Sequence, residues 1–344
     1  MAHVATITID HTKVPGDLTD YVGLIVPDGS AGYSALYALC LEGGGDIRLF
    51  KSDDTTELAR EIVTFSVTDE TGEIHYRYAG TLSSSVDTDI HVYADGSSSD
   101  YAVGATYGRN AVWGDYLFVS HDGGGTDSTG TYTPTANGSV SAGDVSGKIG
   151  VATNFDGNNQ YFTLPTGVIV TGNADRTVSL WYASDAASAF SPFSFGKGGG
   201  TSNADFAARI ISDRIKAQLW GGADLDAMAA SVPGYLDGSW RYLATTHTSG
   251  TLRILYDGSQ VASGSRTLGT TANEALIGSW YLSNGAQDFV GDIGEFRYSD
   301  SANSNNHIAA EYNNQNANGS FWEATDAGGG GAAQAARRGA VMMM

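Results

Sequence analysis

The sequence predicts an all-β protein made of two tandem antiparallel β-sandwiches, with one short C-terminal helix and a flexible tail. Three observations carry this expectation. Short runs of β-branched and aromatic residues alternate with polar ones along most of the chain. Gly, Asp and Ser clusters separate those runs, drawn from 46 glycines against only 6 prolines. Helical periodicity is confined to one stretch near the C-terminus. Many short, evenly spaced strands are the pattern of sandwiches rather than of α/β folds.

The first block reads as strands over 4–9, 21–26, 62–68, 74–78 and 90–93. Asp69-Glu70-Thr71-Gly72 and Asp95-Gly96 supply turns, and Thr55 to Arg60 reads as a single helical turn. Along 64–67, Phe65 and Val67 share one side while Thr64 and Ser66 share the other, as in a half-buried antiparallel strand. The second block reads as strands over 177–182, 206–211, 215–220, 240–246, 252–256, 275–277 and 295–298. Tyr256-Asp257-Gly258-Ser259 forms a hairpin turn there. Residues 301–314 are the helical stretch, with Ile308, Ala309 and Tyr312 on one face after capping-type Ser and Asn. The divisions expected are 1–110, 111–146, 147–315 and 316–344. The Gly/Thr/Ser-rich 121–146 is either a linker or the loosely patterned opening of the second domain. Gly328 to Gly331 reads as a hinge before a basic, Met-rich end.

Composition removes several function classes. At 41% apolar residues the chain can bury a core. The single Cys40 excludes a disulfide scaffold and a multi-cysteine zinc site. No apolar run approaches the roughly 18 residues of a membrane-spanning helix. The first residues lack the basic-then-apolar pattern of a standard secretory signal. Net charge is −20, with −12 on residues 1–120 and −8 on the remainder. No basic face hides in that balance, so nucleic acid is not an expected partner. The acidity serves solubility, adaptation to a salty medium, or cation binding.

Four stretches carry a resemblance. They are residues 147–165 with Asn154-Phe155-Asp156-Gly157, and 176–183, Arg-Thr-Val-Ser-Leu-Trp-Tyr-Ala. The others are 240–258, opening Trp-Arg-Tyr-Leu-Ala-Thr-Thr-His, and 289–299, Phe-Val-Gly-Asp-Ile-Gly-Glu-Phe-Arg-Tyr-Ser. In that order they resemble the concanavalin A-like lectin/glucanase superfamily in its laminin-G-like form, over about residues 112–315. The resemblance implies that the second sandwich is a jelly roll. Residues 18–26, 44–50, 74–78 and 87–95 resemble an uncharacterised β-sandwich module that often precedes such jelly rolls. The whole chain resembles, in style, phage structural proteins such as head decorations or tail fibres.

Glucanases of this superfamily carry paired carboxylates on one strand face. That spacing is missing. Asp69, Glu70 and Glu73 sit at a turn, Asp224 and Asp226 in a Gly-rich loop, and Asp292 and Glu295 flank Gly294 without a third partner. No Gly-x-Ser-x-Gly elbow or His-Glu-x-x-His helix occurs. The expectation is therefore a non-catalytic protein. Carbohydrate binding through stacking aromatics is the reading that remains, with Trp220, Trp280, Tyr281 and Tyr242 as candidates. Trp220 is foremost because Gly221-Gly222 follows it. The alternative for any single ring is core packing.

A structural Ca2+ is the one cofactor the ligand chemistry admits, at Asp156, Asn159 and Asp292. Gly294 stands where the resembled family has Asp, and the alternative is that Asp156-Gly157 is simply a turn. Arg337, Arg338 and Met342 in the tail are either a partner anchor or part of a disordered end. The function expected is a virion-surface or extracellular structural or adhesion protein. Its partners would be other virion or surface proteins, further copies of itself, and a glycan, with no membrane insertion. The runners-up are a secreted glycoside hydrolase and a purely structural shell or filament subunit.

Overall fold

The computed structural model describes residues 1–197, 202–282 and 287–327. The chain is almost entirely β, and its strands form antiparallel sheets. Among the described residues it divides into two compact units, one of 1–113 with 309–327 and one of 114–308. The first division falls between residues 113 and 114. Residues from 309 onward return to the first unit.

In the first unit a seven-stranded path begins with Leu18–Ile25 and runs through Thr71–Leu82, Glu57–Ser66, Arg48–Lys51, Thr88–Ala94 and Ala2–Ile9 to Trp322–Asp326. Alternation sets which side chains enter the core. Val4, Ile7 and Ile9 join Leu49, Leu58, Phe65, Ile74, Tyr76, Ile90 and Val92 inside. The expected turn at Thr55 to Arg60 is instead the start of the long strand Glu57–Ser66. Ser34–Leu39 is a short helix that the sequence pattern did not reveal.

The last strand, Trp322–Asp326, lies antiparallel to Ala2–Ile9, with Ile9 opposite Trp322 and Ala5 opposite Asp326. At the other end of the path, Leu18–Ile25 has no neighbouring strand on its free side among the described residues. Side chains from the returning segment satisfy that edge. The Asn314 carboxamide accepts from Leu24 N at 2.7 Å and donates to Leu24 O at 2.9 Å. Asn318 accepts from Val26 N, and the Trp322 indole donates to Leu24 O. The end of an open strand edge is thereby capped by side chains.

The second unit is a sandwich of an eight-stranded and a seven-stranded sheet. Residues 118–120 pair with Val290–Ser299, and Thr135–Asn137 pairs with Tyr161–Thr163. The Gly-rich 121–146 region therefore lies among this unit's strands and is not a free linker. Phe155, Phe162, Leu180, Phe193, Phe195, Phe206, Ile215, Leu243, Ile254 and Phe296 fill the core between the sheets. Where Arg176–Ala183 meets Val290–Ser299, a bulge places Ser179 opposite Arg297 and Trp181 opposite Gly294. Glu295 sits in that bulge at φ +47 and is buried.

The helix forms as Asn305–Asn316. Its buried positions are Ile308, Ala310, Glu311, Asn314 and Gln315, so the expected face of Ile308, Ala309 and Tyr312 is rotated. The rotation has a visible cause. The polar Asn314 is drawn inward by the Leu24 backbone, and apolarity alone cannot anticipate that.

Candidate functional site

The site is built on the seven-stranded sheet of the second unit. Phe206–Ile211, Arg214–Gln218 and Leu225–Met228 lie side by side in it. Phe206, Ala208, Ile210, Ile215, Ala217, Leu225 and Ala227 enter the core. The period of two then sends Arg209, Arg214, Lys216, Gln218 and Asp226 to the opposite, outer face. Their contacts confirm it. Arg214 Nη1 donates to Asp226 at 2.8 Å, Lys216 Nζ to Asp224 at 2.9 Å, and Arg209 Nη1 to Gln218 Oε1 at 3.1 Å.

Trp220 follows on the same face, after the buried Leu219. It remains 43% exposed. The next residue, Gly221, has φ +70, and a Cβ at Gly222 would lie 1.7 Å from Asn203 Oδ1. The glycine pair lets the chain turn sharply just beyond the ring. Trp220 rests against Trp280, with ring centroids 5.6 Å apart and planes inclined at 55°. Trp280 is only 6% exposed and packs edge-on against Tyr281 at 5.5 Å.

Trp280 is fixed from beneath. Its indole N–H donates to Asp205 Oδ2 at 2.5 Å, and the other Asp205 oxygen accepts from Ser194 Oγ at 2.9 Å. Asp205 is fully buried, so these two bonds offset its desolvation. The Arg209 guanidinium lies 4.8 Å from the Trp280 ring centroid, within cation–π range. Burial pulls the Arg209 pKa down, while Asp224 and Asp205 oppose that pull. The arrangement is an exposed ring on a buried ring, bordered by paired charges. It can stack an apolar ring face and hydrogen-bond a polar rim.

Three of the four aromatic candidates therefore come together. Tyr242 does not join them. It lies on the eight-stranded sheet, fully buried and edge-on to Trp181 at 5.3 Å, which leaves no ring face open. Its burial follows from its place opposite Trp181 on the neighbouring strand. Asp205, Arg209 and Gln218 were not singled out in the sequence. Alternation with Ile210 and Ala217 is a signal that could have found the last two, whereas Asp205 has no local signature.

Each of the metal candidates makes hydrogen bonds of its own. Asp156 Oδ1 accepts from Asn158 N, closing a tight turn, and Asn159 follows at φ +59 with its N–H on Asp288. Asp292 accepts the Asn154 amide at 2.6 Å and lines a cleft of about 240 Å³ with Asn154, Ser184 and Asp185. Glu295, on the same strand as Asp292, bonds His121 Nδ1 and the Arg297 guanidinium. A hard cation needs six or more oxygens around it. Arg337, Arg338 and Met342 lie outside the described residues.

Residues 156–309 match the concanavalin A-like lectin/glucanases superfamily. No curated protein matches the chain. Among solved structures the chain is similar to the binding domain of Paraclostridial Mosquitocidal Protein 1. That match has 11% identity and a TM-score of 0.47, covering 58% of this chain and 52% of that one. It is also similar to domain 4 of AbnA, a GH43 extracellular arabinanase from Geobacillus stearothermophilus, solved with arabinotriose. There the values are 22% and 0.42, covering 57% of this chain and 97% of that one. The Botulinum neurotoxin serotype D binding domain gives 12% and 0.45, covering 58% and 51%. The chain thus spans about half the length of the two toxin domains. Within the jelly roll, the Trp220–Trp280 cluster lies inside the matched residues.

Proposed function

We propose that this chain is a non-catalytic recognition protein whose jelly roll binds carbohydrate on the face carrying Trp220 and Trp280. One observation carries the reading. An indole left 43% exposed is supported by a second indole whose own N–H is bound to a buried carboxylate. Sugars offer apolar C–H faces that suit such a ring, and covering its exposed part is worth about 2 kcal/mol. A contribution of that size makes a weak single site, which gains strength when many copies are displayed together. The reading accordingly places the chain on a virion surface or outside the cell, among other surface proteins or further copies of itself.

The carboxylates support the non-catalytic part. Asp224 and Asp226 are tied to Lys216 and Arg214, and Glu295 is buried between His121 and Arg297. Carboxylates tied in this way are poorly placed to act as acid and nucleophile on a substrate. The reading requires no metal.

A glycan array probed with the full chain tests it, alongside Trp220→Ala. Binding that is lost in the variant at unchanged thermal stability is the expected result. A full array with no signal that depends on Trp220 overturns the reading.

A further inference from the structure

We infer that the ligand of the Trp220 face is a neutral saccharide and not an acidic one, an inference that rests on the carbohydrate reading above. Apart from Arg209, the charges on this face are matched in ion pairs. Arg214 faces Asp213 and Asp226, and Lys216 faces Asp224 and Asp226. Arg209, the cation beside the ring cluster, lies in the field of Asp224 and Asp205. A carboxylate or sulfate drawn to Arg209 also meets Asp226, two strands across on the same face, and Asp224, which is bound to Lys216. The chain as a whole adds long-range repulsion, since its net charge is −20.

A cationic ligand fares no better. The cation position over Trp280 is already held by Arg209 at 4.8 Å. A neutral polyol is the chemistry that uses both signs, because each hydroxyl both donates and accepts. Arg209 has donor capacity for it. Among the described residues it makes one hydrogen bond, from Nη1 to Gln218, and a guanidinium carries five N–H donors. The spacing also fits. Gln218 and Trp220 are two residues apart on one face, about 7 Å in an extended chain. A pyranose stacked on Trp220 brings its hydroxyl edge over Gln218 and Arg209.

The test is an array holding neutral glycans beside sialylated, sulfated and uronic-acid glycans, read at low and high salt. The full chain, Trp220→Ala and Trp220→Phe are compared, with thermal melting as the control for folding. The expected result is neutral hits that weaken about tenfold in Trp220→Ala, persist in Trp220→Phe, and do not change with salt. Trp220-dependent binding confined to acidic glycans, and lost at high salt, overturns this inference while leaving the carbohydrate reading intact. Absence of any Trp220-dependent glycan binding overturns both.

Discussion

Asp205 accepts the indole N–H of Trp280 at 2.5 Å from a position with no solvent exposure. That one bond sets the plane on which Trp220 rests. It ties the exposed ring to the interior of the sheet.

Changing Asp205 to Asn turns one acceptor into a donor facing Ser194 Oγ–H or the Trp280 N–H. Trp280→Phe keeps a ring but leaves a buried carboxylate oxygen one partner short. Each is expected to lower stability by about 1–3 kcal/mol, read from the urea midpoint. Each also weakens glycan binding, because Trp220 loses its backing. An unchanged midpoint in both variants would show that the bond does not organise the cluster.

Asn314 answers both backbone groups of Leu24 with one carboxamide. Asn314→Ala leaves Leu24 N–H unpaired, while Leu24 O keeps the Trp322 indole. The expected cost is about 1–3 kcal/mol, seen as an earlier unfolding transition in denaturant. Asn314→Gln, whose longer side chain misplaces the amide, should recover little of it.

The buried tyrosines predict an alkaline limit. Burial pushes Tyr298 up to about 12 and Tyr182 well above its ordinary value of 10.0. The folded state holds these phenolic protons more tightly than the unfolded chain. Below about pH 10 both states are protonated and the stability is complete. Between about 10 and 12 the unfolded chain ionises first, and stability falls as pH rises. Melting temperature followed from about pH 9 upward should decline once pH 10 is passed. A flat profile to pH 12 would contradict the raised values.

Calcium removal is expected to leave the melting temperature unchanged. Asp156, Asp292 and Glu295 are each committed to separate hydrogen bonds. Scanning calorimetry with chelator and with added Ca2+ checks this directly. A calcium-dependent rise in melting temperature that disappears in Asp156→Ala would instead establish a bound ion.

Much of the jelly roll was legible in the sequence. The strands around Phe206, Ile215 and Leu252 show themselves by period-two alternation, which is a local property of a few residues. The same alternation separates the core residues Phe206, Ala208 and Ile210 from the outward Arg209. The Trp220 site was half legible. Its exposed ring is marked by the adjoining glycines, whereas Tyr242 and Trp220 look alike as aromatic residues beside strands. Only the partner across the sheet, Trp181 for one and Trp280 for the other, tells them apart.

The sequence by itself determined the all-β character and the inward and outward faces of its strands. Tertiary structure decided that Trp322–Asp326 returns to pair with Ala2–Ile9. It also decided that Asn314 turns inward and that Asp205 lies under Trp280. The physical reason is the range of the interactions. Alternation and turn chemistry act between neighbours in the chain, so they leave a mark in any short window. The pairing of residue 9 with residue 322, or of 205 with 280, joins distant segments through backbone and side-chain groups common to many residues. Nothing in either segment alone specifies the other, and the contact exists only once the strands between them have been placed.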